Sequence, residues 1–350
     1  MANSYVRVLL AEDSPTARHH LAEMINESPG LRIIGEARDG AEVLAMAEEL
    51  KPDVISMDIR MPRVDGLEAT RQIMAHCPTP IVVVSALLDA DIDLAFHALQ
   101  AGALAVVEKP PSRHDPTFPD KQRHLVTTLA AMADVRVVRR WENAPGRNSL
   151  RQASEIGAPA IVKPELIAVG ASAGGPSALS TLLKGLPSDL AVPIVVVQHM
   201  PDEFIPGLAR WLNDGSPVPV RVASDGLVLE PGVVHLSPGV AHLTVARRGQ
   251  AFVANLVHDQ GNYRYRPSVD VLFESVAQVC GQASIGILLT GMGDDGAAGM
   301  LAMRETGART LAQDKTSCTV FGMPAAAIEL GAAEQVVALS RLSTVMLNLL

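Results

Sequence analysis

Residues 166–175 read LIAVGASAGG. A short apolar run ends at Gly170, a small-residue turn follows, and Gly174-Gly175-Pro176 opens a helical stretch. This strand–turn–helix order is one βα unit, and its period marks the chain as α/β. Residues 170–174 satisfy G-x-S-x-G, which places the Ser172 hydroxyl at the tip of a sharp elbow. The helix start beneath it offers free N–H groups to a developing oxyanion. The same loop also reads G-x-S-x-x-G, a dinucleotide fingerprint without its middle glycine, so phosphate cradling stays open from this loop alone.

A serine nucleophile needs a base, and the base needs an orienting group. Downstream, PIVVVQHMP is a strand ending at His199, and ILLTGMGDDG is a later strand followed by Asp294 and Asp295. Strand ends of one parallel sheet share an edge, so serine, histidine and aspartate are expected to meet there. The chain order Ser172, His199, Asp295 is not the Ser–Asp–His order of α/β-hydrolases, so a different hydrolytic fold is required. The remaining segments of this half continue the βα rhythm with PVPVRVA and ARTLAQ. Segments around Val233–Leu236 and Leu243–Ala246 read as an antiparallel hairpin. His242 and His258, on or near it, read as solvated loop histidines. No trio among the ten histidines and three cysteines has metal-ligand spacing, so no metal or other cofactor is expected in this half.

Upstream, VRVLLA, LRIIGEA, DVISM, IVVVS and ALAVV are five strands separated by helical segments, a second parallel sheet. Its strand ends carry Glu12 and Asp13, then Asp58, Ser85 and Lys109. Three carboxylates converging at one edge suit a hard divalent ion such as Mg²⁺. A carboxylate beside such an ion is a nucleophile toward phosphoryl groups, with a hydroxyl and a lysine bracketing the transferred oxygens.

The 350 residues carry a net charge of −9. Residues 1–112 hold 9 basic and 17 acidic side chains, residues 113–160 hold 8 and 5, and residues 161–350 hold 12 and 16. The basic middle stretch is rich in proline and glycine, the composition of a linker, and Asp120–Arg140 has helical apolar spacing, which reads as a helix ending the first domain or one connecting the two. The boundaries expected are 1–120 for the first domain, 121–160 for the linker with its helix, and 161–350 for the second domain. An acidic chain with 3% aromatics is a poor nucleic-acid binder, and the basic run Arg136–Arg140 reads as solvated helix. Three widely spaced cysteines, no signal peptide and no apolar span predict a cytoplasmic protein without membrane insertion.

Residues 5–112, with AED, MDIRMPRVDG, VVVSA and VEKP, resemble a two-component receiver domain of flavodoxin-like fold. The resemblance implies phosphorylation of Asp58 by a histidine kinase. It also implies Mg²⁺ held by Glu12, Asp13, Asp58 and the Arg60 carbonyl, and phosphoryl contacts from Ser85 and Lys109. Val106 stands where receivers usually carry an aromatic switch residue. From about Glu165 onward, GASAGG, VVVQHMP, HDQGNYRYRPSVDVLF, LLTGMGDDGAAGM and TSCTVFGMP resemble the chemotaxis protein-glutamate methylesterases. That resemblance implies a doubly wound, mainly parallel catalytic domain with Ser172 as nucleophile, His199 as base and Asp295 as buried acid. Met292 corresponds to a backbone donor to the oxyanion, joined by the amide of Ala173, a residue that is often threonine in the family. The implied substrates are glutamyl methyl esters, and glutamines, of chemoreceptor cytoplasmic domains. The receiver is expected to cover the cleft until it is phosphorylated. Two other readings remain at this point: the same esterase serving a non-chemotactic receptor array, and a non-enzymatic, receiver-gated binding module.

Overall fold

A computed structural model describes residues 5–86, 89–135, 137, 162–258 and 264–350. The basic run at 136–140 and most of the expected linker lie outside the described residues.

The first sheet contains β1 (Val6–Ala11), β2 (Leu31–Ala37), β3 (Val54–Met57), β4 (Ile81–Ser85) and β5 (Ala105–Glu108). All pairings are parallel and the order is β2-β1-β3-β4-β5, the flavodoxin-like arrangement whose switch point lies between β1 and β3. Helices α1 (Pro15–Asn26), α2 (Gly40–Leu50), α3 (Gly66–His76), α4 (Asp89–Ala101) and α5 (Phe118–Ala133) connect and follow the strands. Helices cover both faces, so consecutive strand residues such as Val8, Leu9 and Leu10 are all fully buried. Ser14, Asp39 and Asp65 accept from amides in the first turns of α1, α2 and α3 and so fix where those helices begin.

The helix placed in the linker by the sequence is α5. Its apolar stripe Leu125, Leu129 and Met132 is fully buried beside Val8, Val54 and Val82. It therefore closes the first domain rather than spanning the linker, because that stripe has a complete apolar partner in the sheet.

The second sheet is larger. Its strands are β6 (Leu166–Ala171), β7 (Ile194–Gln198), β8 (Val220–Val222) and β9 (Val234–Leu236). After the hairpin strands β10 (His242–Arg248) and β11 (Ala251–Val257) come β12 (Ser284–Leu288), β13 (Arg309–Gln313) and β14 (Gln335–Val337). The helices are α6 (Gly175–Lys184), α7 (Ile205–Asp214), α8 (Val269–Cys280), α9 (Ala297–Glu305), α10 (Met323–Glu329) and α11 (Leu339–Leu347). Seven strands pair in the order β14-β13-β12-β6-β7-β9-β8, every pairing parallel. The chain starts this sheet at its centre, winds outward through β7, and returns to the other side of β6 with β12. Crevices of such sheets open at that reversal, outside the carboxyl ends of the strands.

The expected hairpin is corrected in its membership. Val234–Leu236 is a parallel strand of the main sheet between β7 and β8. The antiparallel pair is β10 with β11, joined at Gly249-Gln250. The VHL segment is buried throughout, as a sheet interior demands, whereas β11 is buried only over Phe252–Ala254 and opens outward at Asn255, as suits a two-stranded ribbon lying over the core.

The two domains touch through α4 and α7. Phe96 stacks on Trp211 with ring centroids 5.7 Å apart, and Arg210 pairs with Asp93 at 3.1 Å. Among the described residues no helix is long and apolar enough to cross a membrane.

Candidate active site

Three strand-end loops meet at the reversal of the second sheet. Ser172 follows β6, and its amide donates to the Thr290 carbonyl at 3.0 Å while its own carbonyl receives the Gly175 amide at 2.8 Å. Gly174 makes this turn with φ +76°, and a Cβ there would come within 2.5 Å of the Thr319 side chain. Only glycine satisfies both conditions at the elbow. His199 follows β7, its amide held by the Ala171 carbonyl at 2.9 Å. The buried Gln198 amide nitrogen donates to the carbonyls of Ser172 (2.8 Å) and His199 (3.0 Å), tying the two loops together.

Asp295 comes from the glycine-rich loop after β12 and is 4% exposed, whereas its neighbour Asp294 is exposed and pairs with Arg264 at 3.9 Å. His199 Nε2 lies 2.7 Å from Asp295 Oδ2. The same oxygen accepts the Val269 amide at 2.7 Å, and Oδ1 accepts from the Ser268 hydroxyl (2.8 Å) and the Asp270 amide (3.1 Å). The carboxylate thus sits on the first turn of α8, where amides point outward without intrahelical partners. Burial alone would raise its pKa. The His199 hydrogen bond and charge, with the Val269 and Asp270 amides, outweigh that and hold it below the usual carboxylate range.

A carboxylate only accepts, so the proton between these groups belongs to Nε2, and Nδ1 keeps a lone pair. Ser172, His199, Ala173 and Met292 all line one cavity of about 620 Å³. Among the described residues, neither the Ala173 nor the Met292 amide donates to a protein acceptor. The cavity therefore combines a hydroxyl, a base-type imidazole and two available N–H groups, the parts an acyl transfer requires.

Several supporting residues were not singled out from sequence. Thr290 Oγ1 donates toward the Ala173 carbonyl at 2.9 Å and accepts the Val320 amide at 2.9 Å, bracing the elbow against the 316–324 loop. His242 is corrected from a solvated loop residue: it is 1% exposed, and its Nδ1 accepts the Ser268 amide at 3.1 Å. His258 is exposed, as expected. The opposite wall of the cavity belongs to the first domain, including Val106 on β5 and Lys121, His124 and Thr128 on α5.

The carboxyl edge of the first sheet brings Glu12, Asp13 and Asp58 together, with one oxygen from each lying within 4.8 Å of the others. Such a set of hard oxygen donors fits Mg²⁺. Lys109 Nζ lies 2.7 Å from Glu12 and 3.0 Å from Asp58. Burial raises the Glu12 carboxyl above its usual range, with the Asp58 charge adding to the shift and Lys109 opposing it. The Arg60 amide donates to Asp58 Oδ1 at 3.4 Å, placing that backbone beside the Asp58 carboxylate. Ser85 is buried at the end of β4, and its hydroxyl donates to the Ala86 carbonyl at 3.1 Å.

Fold and constellation together define a response regulator with an α/β output domain built around serine, histidine and aspartate. Residues 167–346 match the CheB methylesterase family and residues 8–115 the response regulator receiver domain. The chain belongs to the CheB methylesterase family. It is 45% identical over 344 residues to protein-glutamate methylesterase/protein-glutamine glutaminase 4 of Myxococcus xanthus, covering 98% of this chain and 97% of that one. A homologue of the same description from Anaeromyxobacter dehalogenans, numbered 3, is 45% identical over 95% of this chain and 96% of its own. The crystal structure of the Thermotoga maritima CheB methylesterase catalytic domain superimposes with a TM-score of 0.53 at 34% identity, covering 54% of this chain and all of that one.

Proposed function

We propose that this chain is a phosphorylation-controlled protein-glutamate methylesterase and protein-glutamine glutaminase acting on chemoreceptor cytoplasmic domains. The observation that carries the reading is the Asp295–His199 pair opening onto the cavity that holds Ser172 and the free Ala173 and Met292 amides. Ser172 Oγ attacks the ester carbonyl while His199 Nδ1 takes its proton, and the developing oxyanion receives the two amides. Methanol leaves with the proton returned by His199. Water then enters by the same base and releases the glutamate, and a glutamine side chain follows the same path with ammonia leaving.

Control resides in the first domain. Asp58 accepts a phosphoryl group from a histidine kinase, with Ser85 and Lys109 contacting that group. Glu12, Asp13, Asp58 and the Arg60 carbonyl would hold Mg²⁺, which supplies neutralisation of the phosphoryl charge when bound. The unphosphorylated receiver walls the cleft with β5 and α5, and phosphorylation loosens that wall. We place the protein in the cytoplasm, where kinase and receptor domains are accessible.

The test is methanol release from methylated receptors, with and without a small phosphodonor. Ser172→Ala is expected to abolish release while the protein stays folded, and labelling of Ser172 by a phosphonate is expected to need His199. Retained turnover in Ser172→Ala would overturn the assignment.

A further inference from the structure

Tyr265 joins the two halves of the catalytic constellation. Its ring stacks on the His199 imidazole with centroids 4.9 Å apart and planes 7° apart. Its phenol oxygen reaches the loop that carries Met292, where a Cβ on Gly293 would come within 2.4 Å of it. Gly293 has φ +85°. The side chain is half-buried at the cavity wall, beside Ser172 and His199.

The hydrogen bond to Asp295 fixes one atom of the imidazole. A ring held at Nε2 alone can still swing about that bond, carrying Nδ1 off the line to the serine. A parallel aromatic plane removes that swing, and its electron-rich face favours the imidazolium formed when the base takes a proton. Contact with Gly293 ties the same ring to the oxyanion loop, so base and oxyanion donor keep a fixed separation. We infer that Tyr265 is a positioning residue that sets the plane of His199 and its spacing from the Met292 amide. This rests on the reading of His199 as the general base.

The test uses the full-length protein and methanol release, with kcat and KM separated. Tyr265→Leu is expected to lower kcat by about tenfold or more at unchanged KM, and Tyr265→Phe, which keeps the stacked ring but loses the phenol contact with Gly293, recovers only part of it. Wild-type kcat in Tyr265→Leu, in an enzyme that Ser172→Ala inactivates, overturns the role of Tyr265 alone. Turnover surviving Ser172→Ala overturns the base reading and this proposal with it. Should Tyr265→Leu fail to fold, a double-mutant cycle decides. A Cβ at Gly293 lies 2.4 Å from the phenol oxygen but 3.4 Å from the ring carbon bearing it. Gly293→Ala should therefore cost less kcat in the Tyr265→Phe background than in the parent, and an equal cost in both overturns the proposal.

Discussion

His199 turns Nε2, not Nδ1, toward Asp295, the two atoms 2.7 Å apart. The orientation leaves Nδ1 as the basic atom, the reverse of the arrangement in chymotrypsin-type proteases. It follows from where the Asp295 carboxylate is held, against the Ser268 hydroxyl and the Val269 and Asp270 amides at the start of α8.

Asp295→Asn is expected to lower kcat by a factor on the order of 10³–10⁴, because an amide no longer enforces the Nε2–H tautomer. Methanol release at saturating substrate measures it, and a loss smaller than about tenfold would contradict the orienting role. The folded carboxyl has a depressed pKa, so its partners contribute stability above the unfolded value of ~3.9. That contribution disappears as pH falls through the folded value. The Tm advantage of the parent over Asp295→Asn should shrink correspondingly in acid.

Asp270 titrates the other way. Burial raises its carboxyl to about 6, and the Asp295 charge adds to this although the Gly299 amide, 2.7 Å away, pulls it down. A raised folded pKa contributes stability that is complete below the unfolded value and lost as pH rises through about 6. Asp270→Asn, with no charge to bury and an oxygen still facing Gly299, should therefore gain Tm relative to the parent between acid and mildly alkaline buffer. Parallel thermal melts at both ends of that range test this, and a constant difference would refute it.

Gly207 on α7 lies against α4 of the receiver, where the two domains touch. A Cβ there would come within 2.3 Å of Ile92 and 3.0 Å of Phe96. Gly207→Leu forces the receiver off the catalytic domain at a cost of ~1–3 kcal/mol in the closed form. Unstimulated esterase activity is expected to rise, on the order of tenfold, if receiver contact limits access to the cleft. An unchanged basal rate in a folded variant would count against that control.

Asp58→Asn removes the carboxylate proposed to accept the phosphoryl group while keeping one oxygen near the Arg60 amide, whose bond to Asp58 is 3.4 Å long. Stimulation of methanol release by acetyl phosphate is expected to vanish, together with incorporation of labelled phosphate. Full stimulation would move the modification site elsewhere.

Local chemistry made much of this molecule legible. Apolar runs ending at Ala11, Met57, Ala171 and Leu288 are strands because nothing else buries such runs between helices. Gly174 marks the elbow because no other residue fits there. Two misreadings share one cause. Val234–Leu236 and His242 took their final environments from partners distant in sequence, β7 and Ser268 respectively.

The sequence by itself determined two parallel α/β sheets and the residues at their carboxyl edges, since strand period and turn chemistry are local properties. Tertiary structure decided which residues meet. It buried Asp295 and left Asp294 exposed, turned Nε2 of His199 inward, laid Tyr265 on that ring, and set α5 across the cleft. Those outcomes depend on how loops separated by tens of residues pack against one helix terminus and one another. No periodicity along the chain encodes that packing.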